Sequence, residues 1–109
     1  VALAITVNDR DVQGSRYARE VSLAFSGTYT TNGEVTTAGI LKDLGFSTKV
    51  TAYMPQGGGG AAVGVASEYD FANNKVKLYR TDQVDDFQEE LPNATSLTGI
   101  TLRAKFEGF

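Results

Sequence analysis

Hydrophobic residues recur at every second position over most of this chain. Leu3, Ile5 and Val7 alternate with Ala4, Thr6 and Asn8, which predicts a first strand ending in the polar cluster Asn8–Asp11. The turn-rich step Val12-Gln13-Gly14-Ser15-Arg16 leads into a second strand over about 17–25, with Val21, Leu23 and Phe25 inward. These two predict a hairpin or meander with a long irregular tip. The stretch Glu68–Arg80 is the clearest hairpin. Val63, Val65, Tyr69 and Phe71 share one parity, Ala72-Asn73-Asn74 breaks the run, and Val76 and Leu78 then alternate with Lys75, Lys77 and Tyr79. Asparagine tolerates left-handed backbone and bonds its own main chain, so the Asn pair marks a turn. The last strand, about 100–106, has the most regular alternation: Ile100, Leu102, Ala104 and Phe106 in, Thr101, Arg103, Lys105 and Glu107 out. Shorter strand signals lie at Ser47–Met54, stopped by Pro55-Gln56, and at Phe87–Leu91, ended by Pro92-Asn93.

One segment has helical spacing. Ile40, Leu41 and Leu44 share a face near 37–44, with Thr36 or Thr37 placed to cap its start and Gly45 at C′. It follows a connection whose clearest turn dipeptide is Asn32-Gly33. Such a short helix depends on tertiary packing. The pattern therefore predicts an all-β fold, a mainly antiparallel β-sandwich or barrel of about seven strands with one short helix. Its expected core includes Val21, Leu23, Val65, Phe71, Val76, Leu78, Leu102 and Phe106.

Length and composition narrow the function classes. At 109 residues the chain is expected to form one domain, 1–109, large enough for its own core. It has no cysteine, which excludes disulfides and thiolate metal sites and suits a reducing cytoplasm. It has no histidine, the commonest general base and metal ligand. A formal charge of −3 argues against nucleic acid as a partner, and the absence of a long apolar run argues against a membrane span. The opening Val1-Ala2-Leu3-Ala4-Ile5 is too soon polar for a signal peptide and reads as a mature start after loss of an initiator methionine.

Candidate chemistry is sparse. Asp82, Asp85, Asp86, Glu89 and Glu90 could together hold Ca²⁺, but they lack EF-hand spacing and read more simply as a solvated loop and a charged edge strand. Gly57-Gly58-Gly59-Gly60 lacks the Gly-Lys-Ser/Thr and the helix of a phosphate loop, which leaves a loop tip of the kind that meets partners. Lys75, Lys77 and Arg80 face Glu68 and Asp70 across the predicted hairpin. Tyr17, Tyr29, Tyr53, Tyr69 and Tyr79 could include a sugar-stacking platform, though half-buried strand positions account for them equally. The serines have no base to activate them. No catalytic constellation, metal site or cofactor site emerges, and the chain reads as a non-enzyme.

Three stretches resemble a family of small structural proteins of tailed-bacteriophage virions, of the capsid decoration (cement) type. They are Tyr29-Thr30-Thr31-Asn32-Gly33-Glu34-Val35-Thr36 with Leu44-Gly45-Phe46, then Glu68 through Tyr79, then Glu90-Leu91-Pro92 with Leu97-Thr98 and Ile100-Thr101-Leu102-Arg103. The resemblance spans most of the chain in order and is weakest over Val12–Arg19 and the glycine run. It implies a β-rich protein bound to the capsid exterior, made in the host cytoplasm. Its implied partners are the major capsid protein and its own copies, as a homotrimer. The apolar opening Val1–Val7 lies at a chain end and is free to pair with a neighbour. A capsid or subunit interface is therefore expected at Val1, Leu3 and Ile5, with Arg10 and Arg16 or with Gly57, Gly58, Gly59 and Gly60. The alternative is a small carbohydrate-binding or adhesion module using exposed tyrosines and loop tips.

Overall fold

The computed structural model describes residues 3–59, 64–81 and 88–109. The expected site residues Val1 and Gly60, together with Val63, Asp82, Asp85, Asp86 and Phe87, lie outside them. Among the described residues the strands are β1 (Leu3–Gln13), β2 (Arg16–Phe25), β3 (Val50–Gly57), β4 (Val65–Asp70), β5 (Lys75–Thr81), β6 (Gln88–Glu90) and β7 (Thr101–Gly108). They form two antiparallel sheets, β1-β2-β7-β3 and β4-β5-β6, as the sequence pattern predicts for an all-β sandwich.

The two inner faces meet in one core. Leu3, Val21, Leu23, Phe25, Leu102, Ala104 and Phe106 come from the larger sheet, and Tyr69, Val76 and Leu78 from the smaller. Phe106 lies at the centre. Its ring is 4.9 Å from that of Tyr53 and 5.4 Å from that of Tyr69, and the Tyr53 hydroxyl is hydrogen-bonded to Ser67 Oγ across the sheets at 2.6 Å. Phe46 closes one end over Gly108, where an added Cβ would lie 2.8 Å from its ring and 2.3 Å from the Lys49 carbonyl oxygen. Only glycine fits there.

The long connection between β2 and β3 is pinned by polar contacts. Glu34 exchanges both main-chain bonds with Val76, and its buried carboxylate accepts the Thr30 N–H at 2.6 Å. Tyr29 is buried, and its hydroxyl donates to the Glu90 carboxylate, which also accepts the Asn32 N–H at 2.7 Å. The three stretches singled out in the sequence thus pack on one another around β5 and β6. Glu90 is therefore a structural acceptor rather than part of a solvated edge.

Several expectations are corrected. Phe71 is not core but 52 % exposed, because β4 ends at Asp70 and Phe71 opens the turn. The irregular tip after β1 is instead a two-residue turn at Gly14-Ser15, with Gly14 at φ 66, so β1 continues through Gln13 past a bulge between Val7 and Asp9. Pro55 does not stop β3, since among the described residues this is an edge strand with no ladder partner on its far side to receive the missing N–H. The helix α1 spans only Ile40–Leu44. Its N-cap is Gly39 rather than a threonine, while Gly45 is the left-handed C-cap as expected. Leu3 is 4 % exposed and Ile5 packs against the core, so the chain's opening is not a free arm.

Candidate interaction surface

β7 runs beside β2 from the Ala24–Thr101 row to the Tyr17–Gly108 row, so only the Gln13–Arg16 row and the Gly14-Ser15 turn of the β1–β2 hairpin extend past it, and β1 is the edge strand of the larger sheet. Asp9, Arg10, Asp11, Val12, Arg16 and Tyr17 are all exposed, and the molecule extends 46 Å along its long axis against 26 and 25 Å across. The register gives the hairpin two faces. Cross-strand partners share a face, so Val12 and Tyr17, and Arg10 and Arg19, continue the core side. Asp9, Glu20, Asp11 and Ala18 lie on the outer side.

The core side is anchored by Arg19. The residue is 9 % exposed, and its guanidinium donates from Nε to the Leu44 carbonyl and from Nη1 to the Ala18 carbonyl, both at 3.0 Å, and lies over the rings of Tyr17 and Phe46 at 5.2 and 5.6 Å. A cation on the last carbonyls of a helix satisfies an acceptor that has no helical partner. Beyond this anchor Val12 and Tyr17 present an apolar pair to solvent, 61 % and 39 % exposed. The outer side holds a shallow dent of about 100 Å³ walled by Asp9, Arg10, Asp11, Ala18, Glu20 and Lys105. Asp9 and Asp11 each accept the N–H of the following residue. Among the described residues no group of acidic side chains could hold a metal ion.

The seven expected interface residues that are described do not share one surface. Leu3 and Ile5 sit at the end of the larger sheet where Phe25 pairs with Leu3. Gly57 leaves the opposite edge of that sheet at the Arg103 row, followed by exposed Gly58 and Gly59. Arg10 and Arg16 lie towards the other end, exposed on β1 and at the start of β2. The geometry therefore separates the hairpin from both other candidates. Arg19 was missed, and Val12 and Tyr17 were not read as a pair, although they flank Gly14-Ser15 symmetrically, which is the signature of a cross-strand pair.

The tyrosines form no platform. Tyr29 and Tyr69 are buried, Tyr53 and Tyr79 are partly buried, and Tyr17 alone of the five is exposed. Burial, with the bond to Glu90 second, raises the Tyr29 phenol well above its usual range, and burial does the same at Tyr69. A second groove of about 480 Å³ runs between residues 35–42 and the Asn73-Asn74 turn. Its side-chain chemistry is threonine, asparagine and Lys42, without a nucleophile–base pair. No family model, curated protein or solved structure matches this chain.

Proposed function

We propose that this chain is a non-enzymatic structural protein of a tailed-phage virion, binding the outer capsid surface as a decoration protein and stabilising the shell. The carrying observation is the turn end of the β1–β2 ladder, on the edge strand of the larger sheet, where the apolar pair Val12 and Tyr17 and the charges of Asp9, Arg10, Asp11 and Arg16 are displayed to solvent. Its own fold has no use for these side chains, whereas a contact with a large surface does. Two features of the sequence support the same reading. The stretches that resemble decoration proteins form the interlocked polar and apolar framework around β5, and the weakest resemblance, Val12–Arg19, falls on the hairpin. A common framework with a variable contact element is what binding to different shells requires. The partners are the major capsid protein and further copies of this chain, a homotrimer on the lattice.

The mechanism is multivalent. Each copy contributes a small contact, and copies held together engage neighbouring lattice positions at high effective concentration. Purified virions tested by mass spectrometry and density mapping are expected to carry the chain on their outer surface. Shells stripped of it should lose their contents at lower temperature. Its absence from virions would remove this function.

A further inference from the structure

Asn32-Gly33 is the chain's one Asn-Gly step. In an open chain such a step modifies itself, because glycine has no Cβ to hinder its main-chain nitrogen. The Gly33 nitrogen loses its proton and bonds to the side-chain carbonyl carbon of Asn32. A five-membered imide closes, and the side-chain nitrogen leaves as ammonia. Water then opens the ring at either carbonyl. One product is aspartate. The other is isoaspartate, in which the main chain runs through the side-chain carbon and is longer by a methylene group. Both add a negative charge.

The fold restrains this reaction. The Gly33 N–H, whose nitrogen must attack, is donated to the Thr30 carbonyl at 3.1 Å, and the Asn32 N–H to the Glu90 carboxylate at 2.7 Å. Glu34 exchanges main-chain bonds with Val76 at 2.8 and 3.0 Å, which fixes the other side of the step. Gly33 itself is buried at φ 118 and pressed on β5, where an added Cβ would lie 2.9 Å from Lys75 Cβ and 3.0 Å from the Val76 carbonyl oxygen. Ring closure needs the Gly33 nitrogen to leave Thr30 and turn toward the Asn32 side chain, and the contact with β5 leaves little room for that turn. Asn32 is exposed, at φ 77, so water and base reach it. Geometry, not burial, holds the reaction back.

We propose that Asn32-Gly33 is a latent modification site, closed in the folded chain and released to its own chemistry when the β2–β3 connection opens. It needs no enzyme or cofactor, and water is its co-reactant. Its products do not fit back. Aspartate brings a second carboxylate to the residue whose N–H Glu90 holds. Isoaspartate displaces Gly33 relative to its neighbours, so the Glu34–Val76 bonds and the glycine contact on β5 cannot both re-form. Opening of this connection, reversible at first, becomes irreversible with the time spent open. The inference stands on the connection alone and is independent of what the protein binds.

The test follows conversion of Asn32 in the full chain at neutral pH, folded and in urea, by peptide mass spectrometry. Isoaspartate is read separately with a protein isoaspartyl methyltransferase and a labelled methyl donor. Asn32 is expected to convert about tenfold or more faster in urea than in the folded chain, since reaction of a transiently opened state follows its population. Chains held in urea and then diluted should regain native circular dichroism in a fraction that falls as isoaspartate accumulates. Asn32→Gly has no side-chain amide and takes the left-handed position freely, so its refolded fraction should stay level over the same incubation. Equal conversion rates in the folded and unfolded chain, or no conversion in urea, would overturn the site. That comparison uses the unaltered chain and stands even where the variant fails to fold. A refolded fraction that falls equally in Asn32→Gly, or that ignores isoaspartate content, would overturn the one-way step.

Discussion

Arg19 joins parts of the molecule that lie far apart in the chain: the root of the hairpin, the end of α1 and the ring that closes the core. Replacing it with alanine leaves the Leu44 carbonyl without its donor and separates Tyr17 from Phe46. The expected loss is about 2–4 kcal/mol, combining a buried charge-assisted bond with lost packing. Chemical denaturation measures it, and a change below about 0.5 kcal/mol would show the anchor to be idle. Phe106 is the opposite type of residue. It is fully buried among Tyr53 and Tyr69, and Phe106→Ala is expected to cost about 3–5 kcal/mol by the same measurement. A loss under about 1 kcal/mol there would mean that the two sheets do not meet on this ring. Phe106 was legible from alternation because strand parity is a local property. Arg19 was not, because its partner Leu44 is 25 residues away and a strand arginine of either parity usually reaches solvent.

At the scale of elements, turns decide what parity leaves open. The β4–β5 turn is held by Asp70, whose carboxylate accepts the N–H groups of Ala72 and Asn73 and the Asn73 side-chain amide. These bonds, the Asn73 side chain first, hold the Asp70 carboxyl below its usual range. Asn74 takes the left-handed position at φ 54, and its side-chain oxygen accepts from the Tyr69 hydroxyl at 2.9 Å. The Asn pair announced this turn, but the parity run was carried one residue too far, into Phe71. The cause is physical: an aromatic next to a turn still gains from stacking on its neighbour, here Tyr69 at 5.2 Å, without being buried. Asn74→Ala should cost about 1–2 kcal/mol through left-handed strain and the lost bond, while Asn74→Gly relieves the strain and costs less. Equal losses for the two would show that backbone conformation contributes nothing at this position. The hairpin tip was misread for a related reason. Charged residues in β1 resemble a loop when composition is read alone, yet a strand with both faces in solvent accepts them.

At the scale of the whole molecule, stability rests on keeping both ends of the larger sheet and the pinned β2–β3 connection in place. Removing residues 1–5 takes out Leu3 and Ile5, which pair with Phe25 and Leu23, so the truncated chain should melt well below the full one rather than remain a folded domain without an arm. A truncation with an unchanged melting point would put the start of β1 outside the cooperative fold. The connection itself can be loosened by alkali. Tyr29, buried and bonded to Glu90, and Tyr69, buried between the sheets, keep their phenol protons to a pH well above the ordinary value of 10.0. The unfolded chain releases these protons from about pH 10, where the folded chain still holds them. The contribution is therefore complete below that pH and is lost as pH rises towards the folded values, at about 1.4 kcal/mol per pH unit for each tyrosine. Tyr53 and Tyr79 are raised in the same direction. With no histidine in the chain, stability is expected to be level between about pH 6 and 9 and then to fall steeply. Urea unfolding followed at closely spaced pH values measures both limbs. Tyr29→Phe should lower the plateau through loss of the Glu90 bond and make the alkaline fall shallower by one tyrosine's share. A fall of the same slope in that variant would mean that Tyr29 ionises as freely in the folded chain as in the unfolded one.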